Sequence, residues 1–152
     1  MYKKMFVATD GSELSHKAVD SAIDLAALYG AELYALKVIP RVQQSFFEGA
    51  TCLGERETKH LLASWRHDAE NLLDVVVAAG KEKGVVVKPV VLSSDFVAES
   101  IVKTAEELES ELIVMASHGR HGIKRLLLGS ETSNVLTHCS IPVLVVRERG
   151  RS

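Results

Sequence analysis

With 18 basic and 20 acidic side chains, the 152-residue chain carries a net charge of −2, so it lacks the basic footprint on which nucleic-acid binding depends, and that class of partner is set aside. No apolar run approaches the roughly 20 residues of a membrane span, and Met1 to Val7 is too short for a signal peptide and leads directly into a strand, so a cytoplasmic protein without membrane contact is expected. A chain of this length is expected to form one domain over residues 1–152 and to bury roughly 68–70% of its unfolded surface without a metal or disulfide; Cys52 and Cys139 show neither a Cys-x-x-Cys pair nor a zinc spacing and read as free thiols.

The first apolar run, residues 3 to 9, has strand length and ends on Thr9-Asp10-Gly11-Ser12, a turn signal whose Ser12 suits a helix N-cap. Ala18, Ala22, Leu25 and Leu28 then recur with helical period, and Gly30 stands where a C-cap is expected. A second strand is expected over 32 to 39. Residues 40 to 57, with Phe46, Phe47, Gly49, Cys52 and Gly54, have no clear period and read as a long loop, either a lid over a ligand or a folded flap with no ligand role. Leu62, Trp65, Ala69, Leu72, Val76 and Ala79 mark a second helix that Gly84 closes. Strands at 85 to 92, 111 to 116 and 141 to 147 complete the set, with Asp95 and Ser130 as expected N-caps of the third and fourth helices.

The resulting order, β-α-β-α-β-α-β-α-β, requires right-handed crossovers and a parallel sheet with helices on both faces. A content of 47% hydrophobic but only 5% aromatic residues suits strands buried on both sides. Two strand orders are common for five strands, 3-2-1-4-5 and 2-1-3-4-5. Ligands bind at the carboxyl ends of strands where the order reverses. The polar signals here follow strands 1 and 4, which are neighbours only in 3-2-1-4-5. The fold expected is therefore a single, doubly wound α/β domain of that order.

Two strand ends thus supply polar groups that converge on one ligand. Ser117-His118-Gly119 is followed, after nine intervening residues, by Gly129-Ser130, so glycines bracket a segment that ends at a capped helix, where backbone N–H groups form an anion site. Asp10 is a turn residue, a cap or a ligand group. Ser130 reads as an N-cap bonding the N–H of Thr132 or Ser133, with phosphate contact as an added role. Arg120, His121, Lys124 and Arg125 surround the glycine loop and either neutralise a polyphosphate or form a solvated face. His118 has no visible nucleophile beside it and reads as a structural hydrogen-bonder. His16, His60, His67 and His138 lack the carboxylates and cysteines of a metal site.

Taken together, Ala8-Thr9-Asp10-Gly11-Ser12, Ile113-Val114-Met115-Ala116-Ser117-His118-Gly119, Gly129-Ser130 and Ile141-Pro142-Val143-Leu144-Val145-Val146 resemble the universal stress protein family over almost the whole chain. The family's nucleotide-binding branch carries Gly, two residues, Gly, nine residues, Gly and Ser or Thr. This chain matches that spacing with Ala116, Gly119, Gly129 and Ser130, so only the first glycine is replaced. The resemblance implies an ATP, ADP or AMP site built from Ala8, Thr9, Asp10, Val38, Met115, Ala116, Gly119, Arg120, Gly129, Ser130, Glu131 and Thr132. In it, Asp10 meets the ribose or base edge, the backbone at Val38 meets adenine, and Gly119, Gly129, Ser130 and Thr132 surround the phosphates. Magnesium or manganese arrives with the phosphates rather than on protein side chains.

Ala116 costs roughly 1–2 kcal/mol if that position requires positive φ; at negative φ the penalty is small, although the methyl still crowds a ribose pressed against the backbone. Glu131 either repels an arriving phosphate from the helix start, turns outward or faces a bound cation. The resemblance also implies a homodimer through the last strand, where Val143, Leu144, Val145 and Val146 make an apolar edge. The leading functional expectation is an ATP-binding stress-response regulator acting as a nucleotide switch. A dimeric interaction module with little nucleotide affinity and a slow ATPase are the alternatives, the last weakened because the sequence offers no catalytic base, nucleophile or Walker-type lysine motif.

Overall fold

The computed structural model describes residues 1–42, 54–119 and 128–149. Along the chain run β1 (Lys4–Ala8), α1 (Glu13–Tyr29), β2 (Glu32–Ile39), α2 (Glu55–Glu82), β3 (Val87–Ser93), α3 (Val97–Glu107), β4 (Leu112–Ala116), α4 (Ser130–His138) and β5 (Val143–Val146). All strand pairings are parallel, in the order β3-β2-β1-β4-β5, as expected from the sequence. Side-chain alternation along the central strands builds two cores. Met5, Val7, Leu33, Ala35, Val114 and Ala116 pack beneath α1 and α2, while Phe6, Leu36, Ile113 and Met115 pack beneath α3 and α4. β4 is buried at every position, as a strand covered on both faces must be.

Local chemistry sets the element ends. Ser12 caps α1 by accepting the N–H of Ser15, and Gly30 ends the helix at φ 63°, a left-handed conformation that glycine adopts without a Cβ penalty. The sequence places three details differently. Leu28 is 75% exposed, because the buried face of α1 runs through Leu14, Ala18, Ala22 and Ala26 and Leu28, two residues past Ala26, is about 200° around the helix axis from it. The buried face of α2 runs through Ala69, Leu73, Val76 and Gly80, leaving Leu62, Trp65, Leu72 and Ala79 half-buried on its flank. Gly80 lets α2 lie close against β3, since a methyl there would strike the Val87 side chain. The expected loop over 40 to 57 is shorter at its far end, because Glu55 already begins α2. Residues 43–53 of that loop, with Phe46, Phe47, Gly49 and Cys52, lie outside the described residues.

Asp95 is not the cap of α3. Phe96 occupies the cap position with no side-chain bond, and Asp95 instead accepts the N–H of Arg41 at 3.1 Å. Asp95 therefore ties the exit of β2 to the turn before α3, an acceptor role that a carboxylate fills as readily as capping.

The amino-end rim of the sheet, far from the strand ends where ligands bind, holds its own charges. Lys88 Nζ sits 2.8 Å from Glu32 and 5.4 Å from the Tyr34 ring centre; hydrogen bonding to Lys88 lowers the Glu32 pKa, and the same bond raises that of Lys88. Glu111, just before β4, accepts the backbone N–H groups of Lys3 and Lys4, and those two bonds lower its pKa. A lowered carboxyl pKa stabilises the fold in full above the ordinary glutamate value of about 4.3 and loses that contribution as pH falls through the depressed native value. Wild type is therefore expected to exceed Glu111→Gln in urea stability at neutral pH, with a gap that shrinks on acidification. A gap unchanged in acid would show that the ionised carboxylate is not what Lys3 and Lys4 hold.

Candidate functional site

The site lies where the strand order turns back on itself. β1 and β4 are adjacent, with Val7 opposite Val114, yet α1 leaves β1 on one face and α4 leaves β4 on the other. In sheets of this kind the ligand crevice lies between two such ends. Its first wall is the β1 turn. Thr9 is buried and bonds Ser15 Oγ at 3.0 Å, Ser15 donates to the Ser12 carbonyl at 2.8 Å, and Gly11 N–H donates to Thr9 Oγ1 at 3.2 Å. Gly11 sits at φ 81°. The turn is closed by Asp10, whose Oδ1 accepts the Ser12 N–H at 2.9 Å, the Asx arrangement that Asp favours. This bond orients the second carboxylate oxygen across the crevice, where a methyl on Gly119 would stand 2.5 Å from Oδ2.

Neither Gly119 nor Gly129 has positive φ, so what a side chain would lack at either position is space, not an allowed backbone conformation. At Gly129 a Cβ would stand 3.1 Å from His118 Cα and 3.2 Å from the Ser117 carbonyl oxygen. The Gly129 N–H donates to that same oxygen at 2.7 Å, while the Ser117 N–H donates to Val146 in β5 at 2.9 Å. Ser117 is 4% exposed and pins the loop to both the start of α4 and the neighbouring strand. Its backbone role has no side-chain signature, and the sequence does not single it out for one. His118 places Nδ1 3.3 Å from Ser117 Oγ, the structural pairing expected of it.

Ser130 is not the N-cap of α4. Gly129 takes that position at φ −60° and ψ 156°, without a side-chain cap, and its carbonyl accepts the Ser133 N–H at 2.9 Å. Ser130 begins the helix proper. The N–H groups of Ser130, Glu131 and Thr132 consequently have no acceptor within the helix, and they form the amide cluster that an anion needs. Thr132 is 2% exposed and its hydroxyl donates to the Ala116 carbonyl at 2.8 Å. Its side chain therefore locks α4 onto the end of β4, and what it presents to the crevice is its amide.

Ala116 ends β4 in ordinary extended backbone, because the sole positive-φ non-glycine residue among the described residues is Glu109. The strain considered for a Cβ at this position does not arise; the methyl packs in the α1-side core. Met115 is also buried and points to the opposite core. Glu131 reaches across to the neighbouring helix, where its Oε2 accepts the N–H of Ala98, the second residue of α3, at 2.9 Å.

Val38 supplies the far wall. β2 pairs with β1 only as far as Leu36, opposite Ala8, but continues to Ile39 against β3. Leu36 turns its carbonyl to β1, accepting the Thr9 N–H at 3.0 Å, and Ile39 turns its carbonyl to β3, accepting from Ser94 at 2.9 Å. Strand alternation then directs the N–H and C=O of Val38 toward the β1 side, above the point where β1 has turned off. A donor and an acceptor on one strand edge match an adenine edge. Arg120, His121, Lys124 and Arg125 lie outside the described residues. Among the described residues no group of His, Cys, Asp and Glu gathers to hold a metal ion, and no helix is long and apolar enough to cross a membrane.

The Universal stress protein family model matches residues 1–147. Universal stress protein MJ0531 of Methanocaldococcus jannaschii is 35% identical over 148 residues, covering 97% of this chain and 84% of its own. The solved structure of MJ0577, from the same organism, superposes with a TM-score of 0.81 at 30% identity and 99% coverage of both chains. A universal stress protein solved in complex with cAMP superposes at 0.67 with 27% identity, covering 97% of this chain and 99% of that one.

The tight seat of Gly129 sets an expectation for stability. Gly129→Ala overpacks the Ser117–His118 backbone and is expected to cost about 1–3 kcal/mol in denaturant unfolding. A cost below a few tenths of a kcal/mol would mean that the loop yields without strain.

Proposed function

This chain belongs to the universal stress protein family, and from that premise we propose that it binds an adenine nucleotide across the carboxyl ends of β2, β1 and β4 and acts as a nucleotide-dependent switch within a homodimer. The observation that carries the reading is the convergence of three unlike groups on one crevice. They are the Val38 strand edge, the Asp10 carboxylate and the uncapped amides at the start of α4. Each fits one part of a nucleotide, and they follow one another along the rim in the order base, ribose, phosphate. Asp10 accepts from ribose hydroxyls, as an ionised carboxylate does. Gly119 leaves room for the Asp10 carboxylate beside the loop, and the amides of Ser130, Glu131 and Thr132 receive the phosphate. The complex of a relative with cAMP supports an adenine nucleotide as the ligand class. ATP with magnesium or manganese carried by its phosphates is the form proposed, and Arg120 is the cation assigned to them.

The switch reading joins this site to the dimer. β5 is an edge strand, Leu144 is 39% exposed on it, and an unpaired apolar edge favours pairing with a second copy. Ser117 bonds both β5 and the start of α4, so a ligand on the glycine loop and a partner on β5 act on one backbone segment. Nucleotide binding in this reading biases the partner-facing surface rather than driving a chemical step.

Titration calorimetry of nucleotide-free protein with magnesium-ATP and with AMP tests the site. Micromolar binding is expected, weakened about tenfold or more by Asp10→Ala, the loss of hydrogen bonds to a charged group. Absence of heat with millimolar nucleotide would overturn the proposal. Sedimentation velocity tests the dimer: Val145→Lys is expected to shift a dimer to monomer, and a dimer that survives the substitution has its interface elsewhere.

A further inference from the structure

Glu131 contributes two opposed groups to the proposed site. Its backbone N–H is one of the amides at the start of α4, and its carboxylate is held 2.9 Å from the Ala98 N–H at the start of α3. Phe96, the cap residue of α3, offers no side-chain bond; the first turn of α3 is therefore capped from the neighbouring helix. That bond ties the carboxylate, on a residue exposed to solvent, to the start of α3. A glutamate carboxylate oxygen lies at most about 6 Å from its own amide nitrogen by covalent geometry. An anion resting on the α4 amides consequently lies within about a Debye length of a fixed negative charge. The positive end of α3, about half a unit charge, offsets only part of it.

We propose that Glu131 makes the site select nucleotides by charge: a nucleotide with a single phosphate, or a polyphosphate neutralised by a divalent cation, is accepted over a free triphosphate. The inference rests on the nucleotide reading above and concerns the same crevice. A phosphate on the amides gains their hydrogen bonds whatever its length. Each further phosphate adds negative charge near the carboxylate without adding another helix terminus to offset it, so repulsion grows with phosphate number. A divalent cation cancels that growth by lowering the charge of the polyphosphate, and Glu131 thereby couples ATP affinity to the cation without being its ligand. Thr132, locked to the Ala116 carbonyl, holds the helix start in place and so keeps the separation of amides and carboxylate constant.

Glu131→Gln isolates the charge, because its amide oxygen still accepts the Ala98 N–H while Glu131→Ala removes both. Calorimetric affinities are measured for AMP, for ATP with chelator and for magnesium-ATP. In Glu131→Gln, metal-free ATP is expected to tighten about three- to tenfold, AMP and magnesium-ATP distinctly less, and the difference to shrink at high salt. The thermal midpoint of Glu131→Gln is expected to stay near that of wild type, with Glu131→Ala lower through loss of the α3 cap. Equal changes for all three ligands, or none, would overturn the role of Glu131 while leaving the nucleotide site standing. If neither wild type nor Glu131→Gln binds any of the three, the nucleotide site itself is wrong and the selection falls with it.

Discussion

The handedness of parallel crossovers is the constraint on which this molecule depends. Every parallel strand must be followed by a helix that returns right-handedly to the next strand. When the order reverses between β1 and β4, the helices after those two neighbours are forced onto opposite faces of the sheet. Neither helix can cover the strand ends between them, so the crevice is a consequence of topology. Its lining is then whatever the turns after β1 and β4 contain.

Those turns are organised by backbone satisfaction more than by side-chain charge. Thr9, Ser15 and Ser12 form one hydrogen-bonded unit beneath the Asp10 turn, and Ser117 and Thr132 clamp the α4 start to the ends of β4 and β5. Both glycines of the loop serve contacts within the protein, against Asp10 and against His118. The amides at the start of α4 stay without a side-chain acceptor as well as a helical one because the cap is a glycine with no side chain to occupy them. Serine at the cap position would itself bond one of those amides. Placing the glycine at the cap and the serine one residue later leaves the cluster available to an anion.

Much of this was legible in the residues. Strand periodicity separates cleanly from helical periodicity when cores are built from Val, Leu, Ile and Ala, and β2 ends where its sequence changes character. Polar signals after the first and fourth strands chose the strand order, because a ligand site demands that those ends be adjacent. The spacing of Gly119, Gly129 and Ser130 marked the loop. Capping roles were less legible: Ser130 and Asp95 have side chains suited to capping, yet the caps fall on Gly129 and Phe96. Which residue of a short polar run becomes the cap depends on where the helix is docked, and docking is a tertiary matter.

Glu131 and Ala116 show the same division. From the sequence alone, Glu131 carries equally a repulsive, an outward or a cation-facing role, and Ala116 carries a penalty or none, because each outcome turns on a backbone angle or a neighbour remote in the chain. The partner of Glu131 is Ala98, 33 positions away on a different helix, and no periodicity links them. The chain by itself determined the alternation of elements, their faces and the strand ends that meet, since these follow from local propensity and the handedness of crossovers. Only the tertiary structure decided which amides stay uncapped, that Ala116 is unstrained and that a carboxylate is held beside the α4 start, because hydrogen bonds between elements form only once the sheet has fixed their distance.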